Sequence, residues 1–226
     1  MDLFIPDARE RSTALGRVTH LGIGAHQDDL EFMAVHGILE CFGNPDAWFG
    51  GITCTDGGGS ARSGPYAGFT DEQMKTVRLQ EQRKAAQIGE YAFMAQLGHP
   101  SDVCKQSNKR PLLIDDLRTL IVETRPQVIY THNPVDKHAT HVGVLIAVIE
   151  ALKGIPAEAR PQRMLGCEVW RDLDWLPDSL KVPLDVSGHP NLAASLNGVF
   201  DSQITGGKRY DRAVLGRRRA NATFLE

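Results

Sequence analysis

The sequence predicts an α/β fold: one Rossmann-like domain with a mostly parallel sheet and helices on both faces. Short apolar, strand-like runs alternate with longer segments of helical period, and each run gives way to a helix. No internal repeat or low-complexity stretch interrupts this alternation. At 226 residues the chain can bury roughly 70% of its unfolded surface, which suits one large domain.

The first strand is read as VTHLGIGA, residues 18–25. A helix follows over residues 28–42, where Leu30, Met33, Ala34, Ile38 and Leu39 recur at helical spacing and Asp28 or Asp29 lies in the first turn. AWFGGITCT (47–55) is the second strand; it runs through the glycine-rich DGGGSARSGPYAGF into a helix capped at Thr70 and stopped at Gly89. YAFMAQLG (91–98) is the third strand, followed by a polar loop and a helix over residues 114–125. PQVIYTH (126–132) then leads into an apolar helix over 139–154 that ends at Gly154. Four strand-to-helix units therefore fill residues 18–154. They lie between an N-terminal extension (1–17) and a C-terminal portion (155–226) that completes a single domain spanning 1–226. In that last portion proline and turn residues are denser, MLGCEVW (164–170) and LKVPLDVS (180–187) are the strand candidates, and helical pieces fall near 190 and 208.

Composition narrows the function classes. Hydrophobic residues make up 42% and charged residues 23%, with a formal charge of −3, so nothing suggests a nucleic-acid partner or a strongly acidic one. The amino end, MDLFIPDARERSTALGR, has neither the apolar centre of a signal peptide nor a membrane span, and a soluble, cytoplasmic protein is expected. Cys41, Cys54, Cys104 and Cys167 are widely spaced without a Cys-x-x-Cys pair, which speaks for buried free thiols and against a zinc ribbon.

The chemistry concentrates just past the strands. In parallel sheets ligands bind beyond the carboxyl ends of the strands where the strand order reverses, so the loops after residues 25, 55, 98 and 132 should converge. The first carries His26, Asp28 and Asp29, in GIGAHQDDLE. Chance supplies about one His-x-x-acid spacing in a chain of this composition, and an aspartate at a helix start is also a cap, so the spacing alone decides little. The last carries THNPVDKHATHVGV, with His138 and His141 three apart and therefore facing the same way, a pairing expected by chance only about 0.3 times. His26, Asp29 and His141 are assigned as ligands of a divalent cation. Three protein ligands and one open position suit catalytic zinc, and the mixed nitrogen and oxygen donors also admit Fe, Co, Ni or Mn. Asp28, left unliganded, is placed to act as general base; His138 is placed to serve the oxyanion or the leaving amine. His132 and Asp136 compete for neighbouring roles or orient a ligand.

AHQDDLE resembles the A-H-P-D-D-x-E signature of the PIG-L (LmbE-like) zinc N-deacetylases, and DKHATHVGV resembles their second, His-x-x-His motif. The resemblance implies zinc on His26, Asp29 and His141, Asp28 as base, His138 as its helper, and an N-acetylated amino sugar or conjugate as substrate. TDGGGS and VRLQEQRKAAQIG are similar to the family's Thr-Asp-Gly stretch and Arg-x-x-Glu helix, which makes Asp56 and Arg78 candidate sugar contacts. Arg78 and Glu81 are equally well spaced for an exposed surface pair of little energetic weight. The resembling pieces span about residues 18–154. Gln27 replaces the usual proline, and Lys137 separates Asp136 from His138 where the common form runs Pro-Asp-His, which leaves the partner of Asp136 open. Beyond 154 only CEVW, LDVS and FDSQ resemble family elements, faintly.

Of the remaining features, DGGGSARSG matches no phosphate-binding loop pattern and reads as a loop at the mouth of the site. VLGRRRANATF reads as a solvated basic face, the alternatives being an anionic substrate or the acids of an adjacent subunit in a homo-oligomer. Among Trp48, Trp170 and Trp175, Trp170 is nominated to stack on a sugar. The expected function is a metal-dependent hydrolase that removes acetyl from an N-acetylglucosamine-type compound by attack of a zinc-bound water. The alternatives are an amidase acting on a thiol-sugar conjugate or a modified natural product, and an inert sugar- or metal-binding module.

Overall fold

In the computed structural model, which describes residues 1–225, the chain opens with strand β1 (Asp2–Phe4) and helix α1 (Arg11–Gly16). The core follows as β2 (His20–Gly24), α2 (Asp29–Met33), α3 (Val35–Cys41), β3 (Phe49–Thr55), α4 (Asp71–Ile88), β4 (Phe93–His99), α5 (Ser101–Lys105), α6 (Pro111–Thr124), β5 (Val128–His132) and α7 (Ala139–Lys153). β6 (Arg163–Cys167), α8 (Pro190–Gly198), α9 (Asp201–Ile204) and α10 (Tyr210–Asn221) complete it. The sheet order is β1-β4-β3-β2-β5-β6, with every neighbouring pair parallel except β1 against β4.

From β2 the chain moves outward through β3 to β4, then returns to the other side of β2 for β5 and β6. The order therefore reverses between β2 and β5, and the loops leaving these two adjacent strands open a crevice at their carboxyl ends. Covering both faces is what makes the strands read as near-continuous apolar runs; all seven residues of β3 are buried. One face packs Leu21, Ile23 and Ile52 against Leu117, Ile121, Val144 and Val148 of α6 and α7. The other packs Phe49, Met94 and Tyr130 against Leu30, Ile38, Leu192 and Leu196. Each such fully buried side chain contributes roughly 1.5–3 kcal/mol.

Several boundaries differ from those read in the sequence. The expected helix over 28–42 is divided at Ala34 into α2 and α3. Arg218 explains the break: its Nη2 donates to the carbonyls of Glu31 (2.6 Å) and Phe32 (3.4 Å), the acceptors a continuous helix would give to residues 35 and 36. The N-terminal extension supplies a sheet edge strand, and the polar loop after β4 contains α5. MLGCEVW contains the real strand β6, but LKVPLDVS has no regular structure beyond the start of the segment, as Pro183 at its centre would dictate. All four cysteines are free and buried.

Candidate active site

Gly24 ends β2, and without a side chain it lets the first turn of α2 come close: a Cβ there would sit 2.9 Å from the Asp29 Cβ. The turn between them is tied to its neighbours. Gln27, in the position where the resembling family has proline, donates from Nε2 to the Thr55 carbonyl (3.0 Å) and to Gln96 Oε1 (3.2 Å). Thr55 Oγ1 in turn donates to the Ala25 carbonyl at 2.8 Å. The loop after β2 is thus sewn to the ends of β3 and β4.

From this loop and from the start of α7, the three assigned ligands meet. His26 Nδ1 lies 3.2 Å from His141 Nε2 and 3.3 Å from Asp29 Oδ2, and His141 Nε2 lies 3.6 Å from Asp29 Oδ1. Ligand atoms held about 2.0–2.1 Å from a tetrahedral zinc stand about 3.3 Å apart; the separations here are of that size, with Asp29 facing His26 through Oδ2 and His141 through Oδ1. The electrostatics agree. Burial opposes a charge on Asp29, but His141, His26 and His132 outweigh it and hold its carboxyl well below the usual range. Burial likewise opposes a charge on His141, yet Asp29 and Asp136 raise its pKa, so this pocket draws positive charge to the point where a cation would sit.

Asp136 settles on His141, not His138: its Oδ2 is 2.7 Å from His141 Nδ1, while Oδ1 accepts the His138 backbone amide at 2.8 Å. A carboxylate on the far nitrogen of a ligating histidine fixes its tautomer and strengthens it as a donor. His132, fully buried, stacks on the His141 ring with centroids 4.0 Å apart and accepts the Ala25 amide at Nε2 (2.9 Å). It ends β5, and its Nε2 is also 3.3 Å from Asp29 Oδ2; Asp29, His132 and His141 form one group of donors close enough together to hold a metal ion, and His26, His138 and His141 form another.

Asp28 stands outside the ligand cluster. Its backbone is left-handed at φ 94°, a costly conformation for a non-glycine residue and one that concentrates at functional sites. Burial pushes its carboxyl up to about 6 against the pull of Arg78, whose Nη2 donates to Asp28 Oδ2 at 2.8 Å. Its other oxygen, Oδ1, accepts no hydrogen bond from the described residues. His138 caps α7 by accepting the Thr140 amide at Nδ1 (3.3 Å), so its neutral ring carries its proton on Nε2. Burial and the neighbouring His141 and His26 push its pKa down to about 4, which keeps it neutral near pH 7.

The remaining assigned residues fall elsewhere. Arg78 is only 1% exposed and is bonded to Asp28, Glu81 and Ser202, so the exposed-pair reading is corrected and both its terminal nitrogens are held by protein groups. Asp56 forms an ion pair with Lys75 (3.2 Å) and accepts the Gly58 amide (3.1 Å). Trp170 packs its ring on Phe32 and Tyr210 while also lining a cleft of about 330 Å³ with Asp136, Lys137, His138, Arg171 and Asp172. The basic run near the C-terminus is a solvated face only in part: Arg219 is exposed, but Arg217 binds Glu168 (2.5 Å) and Asp174, and Arg218 is the side chain inserted at the α2–α3 break. Two buried acids escaped the sequence reading. Glu31, the last residue of AHQDDLE, accepts Tyr91 Oη (2.7 Å) and Gln82 Nε2 (2.8 Å) on a single oxygen. Asp172 accepts Asn133 Nδ2 (3.2 Å) and the Val169 amide (3.1 Å) beside the cleft. The aligned AHQDDLE spacing signals the first; nothing local signals the second.

Residues 21–152 match the family described as PIG-L: GlcNAc-PI de-N-acetylase. No curated protein matches the chain by sequence. Among solved structures, the conserved protein TT1542 from Thermus thermophilus is similar at 19% identity over 92% of this chain and 90% of that one, with a TM-score of 0.68. The N,N'-diacetylchitobiose deacetylase from Pyrococcus horikoshii is similar at 13% identity over 96% and 80%, TM-score 0.66. GalB, the 4-carboxy-2-hydroxymuconate hydratase from Pseudomonas putida KT2440, is similar at 17% identity over 90% and 89%, TM-score 0.59. At these identities the likeness is one of fold.

Proposed function

This chain belongs to the PIG-L family of N-deacetylases, and from that premise we propose that it is a metal-dependent hydrolase of an N-acetylated amino sugar, N-acetylglucosamine or a conjugate of it. Water adds to the acetamide carbonyl, the C–N bond breaks, and acetate and the free amine leave. The observation that carries this reading is the convergence of His26, Asp29 and His141 donor atoms at 3.2–3.6 Å from two turns more than a hundred residues apart, with an unliganded acid beside them.

His26, Asp29 and His141 would hold the cation, zinc before Fe, Co, Ni or Mn. Once bound, such an ion polarises the amide carbonyl and acidifies the water it carries. Asp28 takes the proton from the attacking water on Oδ1, the oxygen that Arg78 leaves free, and returns it to the amine nitrogen as the C–N bond breaks. An elevated pKa of about 6 serves this task, because a base works best when its pKa lies near the operating pH. His138, neutral and protonated at Nε2, donates to the carbonyl oxygen as negative charge develops there. Asp136 holds His141 in register. The cleft beside His138 receives the sugar, with Trp170 offering a ring face. Asp56, already paired with Lys75, reaches the substrate only by exchanging that partner.

The deciding experiment is elemental analysis of purified protein joined to acetate and amine release assays on N-acetylglucosamine, N,N'-diacetylchitobiose and acidic or inositol conjugates. About one divalent ion per chain and release of equal acetate and amine are expected. A loaded protein that binds these sugars and releases no acetate would leave the inert binding module as the better reading; acetate released from a different amide would leave the wider amidase class.

A further inference from the structure

Asp28 is held from behind. Arg78 reaches it from α4 with Nη2, and the same nitrogen donates to the Gln27 carbonyl, so one guanidinium end fixes both the carboxylate and the peptide that carries it. The other end, Nη1, is held by Glu81 Oε2 (2.9 Å) and Ser202 Oγ (3.2 Å). Glu81 is in turn pinned by α9: its Oε1 accepts the Ser202 amide at 2.7 Å and its Oε2 accepts the Ser202 hydroxyl at 2.8 Å. Gln203 Nε2 donates to that hydroxyl at 3.1 Å. All five side chains are buried, and Ser202 is 0% exposed.

A buried guanidinium needs compensating charge, and one carboxylate would meet that need. Arg78 has two, on opposite ends of its planar fork, so its direction as well as its charge is set. We propose that Glu81, fixed by Ser202, is a positioning residue that aims Arg78 and through it sets the orientation of the Asp28 carboxylate toward the attacking water. The chain runs Ser202, Glu81, Arg78, Asp28, and joins the C-terminal portion of the molecule to the reaction centre. It rests on the role of Asp28 as general base.

Glu81→Gln keeps the shape and removes the charge at the anchored end. In metal-loaded protein it is expected to lower kcat on the order of 10- to 100-fold with KM and bound metal unchanged. Ser202→Ala, the gentler variant, keeps the fold should Glu81→Gln not, and is expected to lower kcat in the same direction by about threefold or more. In an Asp28→Asn background both substitutions should have no further effect, because the group they position is gone. A purely structural role would lower thermal stability and leave kcat per loaded molecule intact. Parental kcat in both variants, or equal losses with and without Asp28, would overturn the relay while Asp28→Asn alone remained inactive. Full turnover in Asp28→Asn would overturn the base assignment and the relay with it. Crystal structures add a readout free of substrate: in Glu81→Gln the Asp28 carboxylate should take a new rotamer or lose its 2.8 Å contact, and an unchanged Asp28 would count against the proposal.

Discussion

Glu31 offers a quantitative check on the buried polar layer beneath the site. Its carboxyl is fully buried, Oε1 accepts Tyr91 and Gln82, and Oε2 has no partner among the described residues. Burial pushes its pKa from 4.5 up to about 7, the two hydrogen bonds offsetting only part of the cost. Because the folded value is raised, the folded chain binds more protons than the unfolded chain between those values. Stability from this residue is therefore fully present below about pH 4.5 and is lost as pH rises through about 7. The difference amounts to about 3 kcal/mol, which in a domain of this size is about 6–12 °C in Tm. Glu31→Gln keeps the bonds at Oε1 and cannot ionise. Its amide nitrogen takes the unpartnered position at a constant cost of about 1–3 kcal/mol, so the absolute stability of the variant is a poor test. The pH dependence is a good one, since that constant cancels. Urea unfolding of both proteins at pH 5 and pH 8, at matched metal occupancy, should show the variant gaining on the parent by about 2.5 kcal/mol across the interval. A constant difference between the two proteins from pH 5 to pH 8 would refute the reasoning, and with it the view that this acid sits in a sealed layer.

Four further substitutions probe the site directly. Asp28→Asn should keep its metal and lose about 10²- to 10⁴-fold in kcat, measured by acetate release; a loss of metal instead would make Asp28 a ligand. His141→Ala should lose the metal outright, whereas Asp136→Asn, which weakens the 2.7 Å contact to His141, should bind it about 10- to 100-fold less tightly in a chelator competition. An Asp136→Asn protein with parental affinity would remove Asp136 from the support of the ligand. Gly24→Ala drives a methyl to 2.9 Å from Asp29 Cβ and 3.2 Å from Leu30 Cδ2, and should cost about 1–3 kcal/mol by urea unfolding; a neutral effect would mean the α2 turn is free to retreat.

Periodicity and punctuation carry the fold because parallel strands covered on both faces are apolar throughout, as in β3, and because Thr70 and Gly154 mark helix ends by local chemistry alone. The Thr70 capping box with Gln73 is one such signal. What local pattern cannot contain is the division of the first helix at Ala34, since its cause, Arg218, arrives from 184 residues further along the chain. β1 is invisible for a related reason: a three-residue strand is stable only because the edge of β4 is there to receive it.

The site shows the same boundary at finer grain. His26, Asp29 and His141 could be nominated because histidines and acids placed just past the strands are costly unless a positive charge compensates them, and their donor atoms do come together. Which partner each supporting residue takes depends on closure of the fold instead. Asp136 lies two residues from His138 and five from His141, so sequence proximity favours the wrong histidine. The first turn of α7 decides otherwise, because it spends the Asp136 Oδ1 atom on the His138 backbone amide and turns Oδ2 toward the His141 ring. Arg78 is the stronger case. An arginine and a glutamate three apart on a helix are usually a solvated pair, and the spacing is indeed satisfied at 2.9 Å. Only the loop after β2 on one side and α9 on the other seal that pair from water and convert it from a surface ornament into the charge that faces Asp28. Side chains that make chemistry possible by themselves are therefore readable from residue type and position along the chain, whereas those that act by holding another residue still become readable only when both ends of the contact have been brought together.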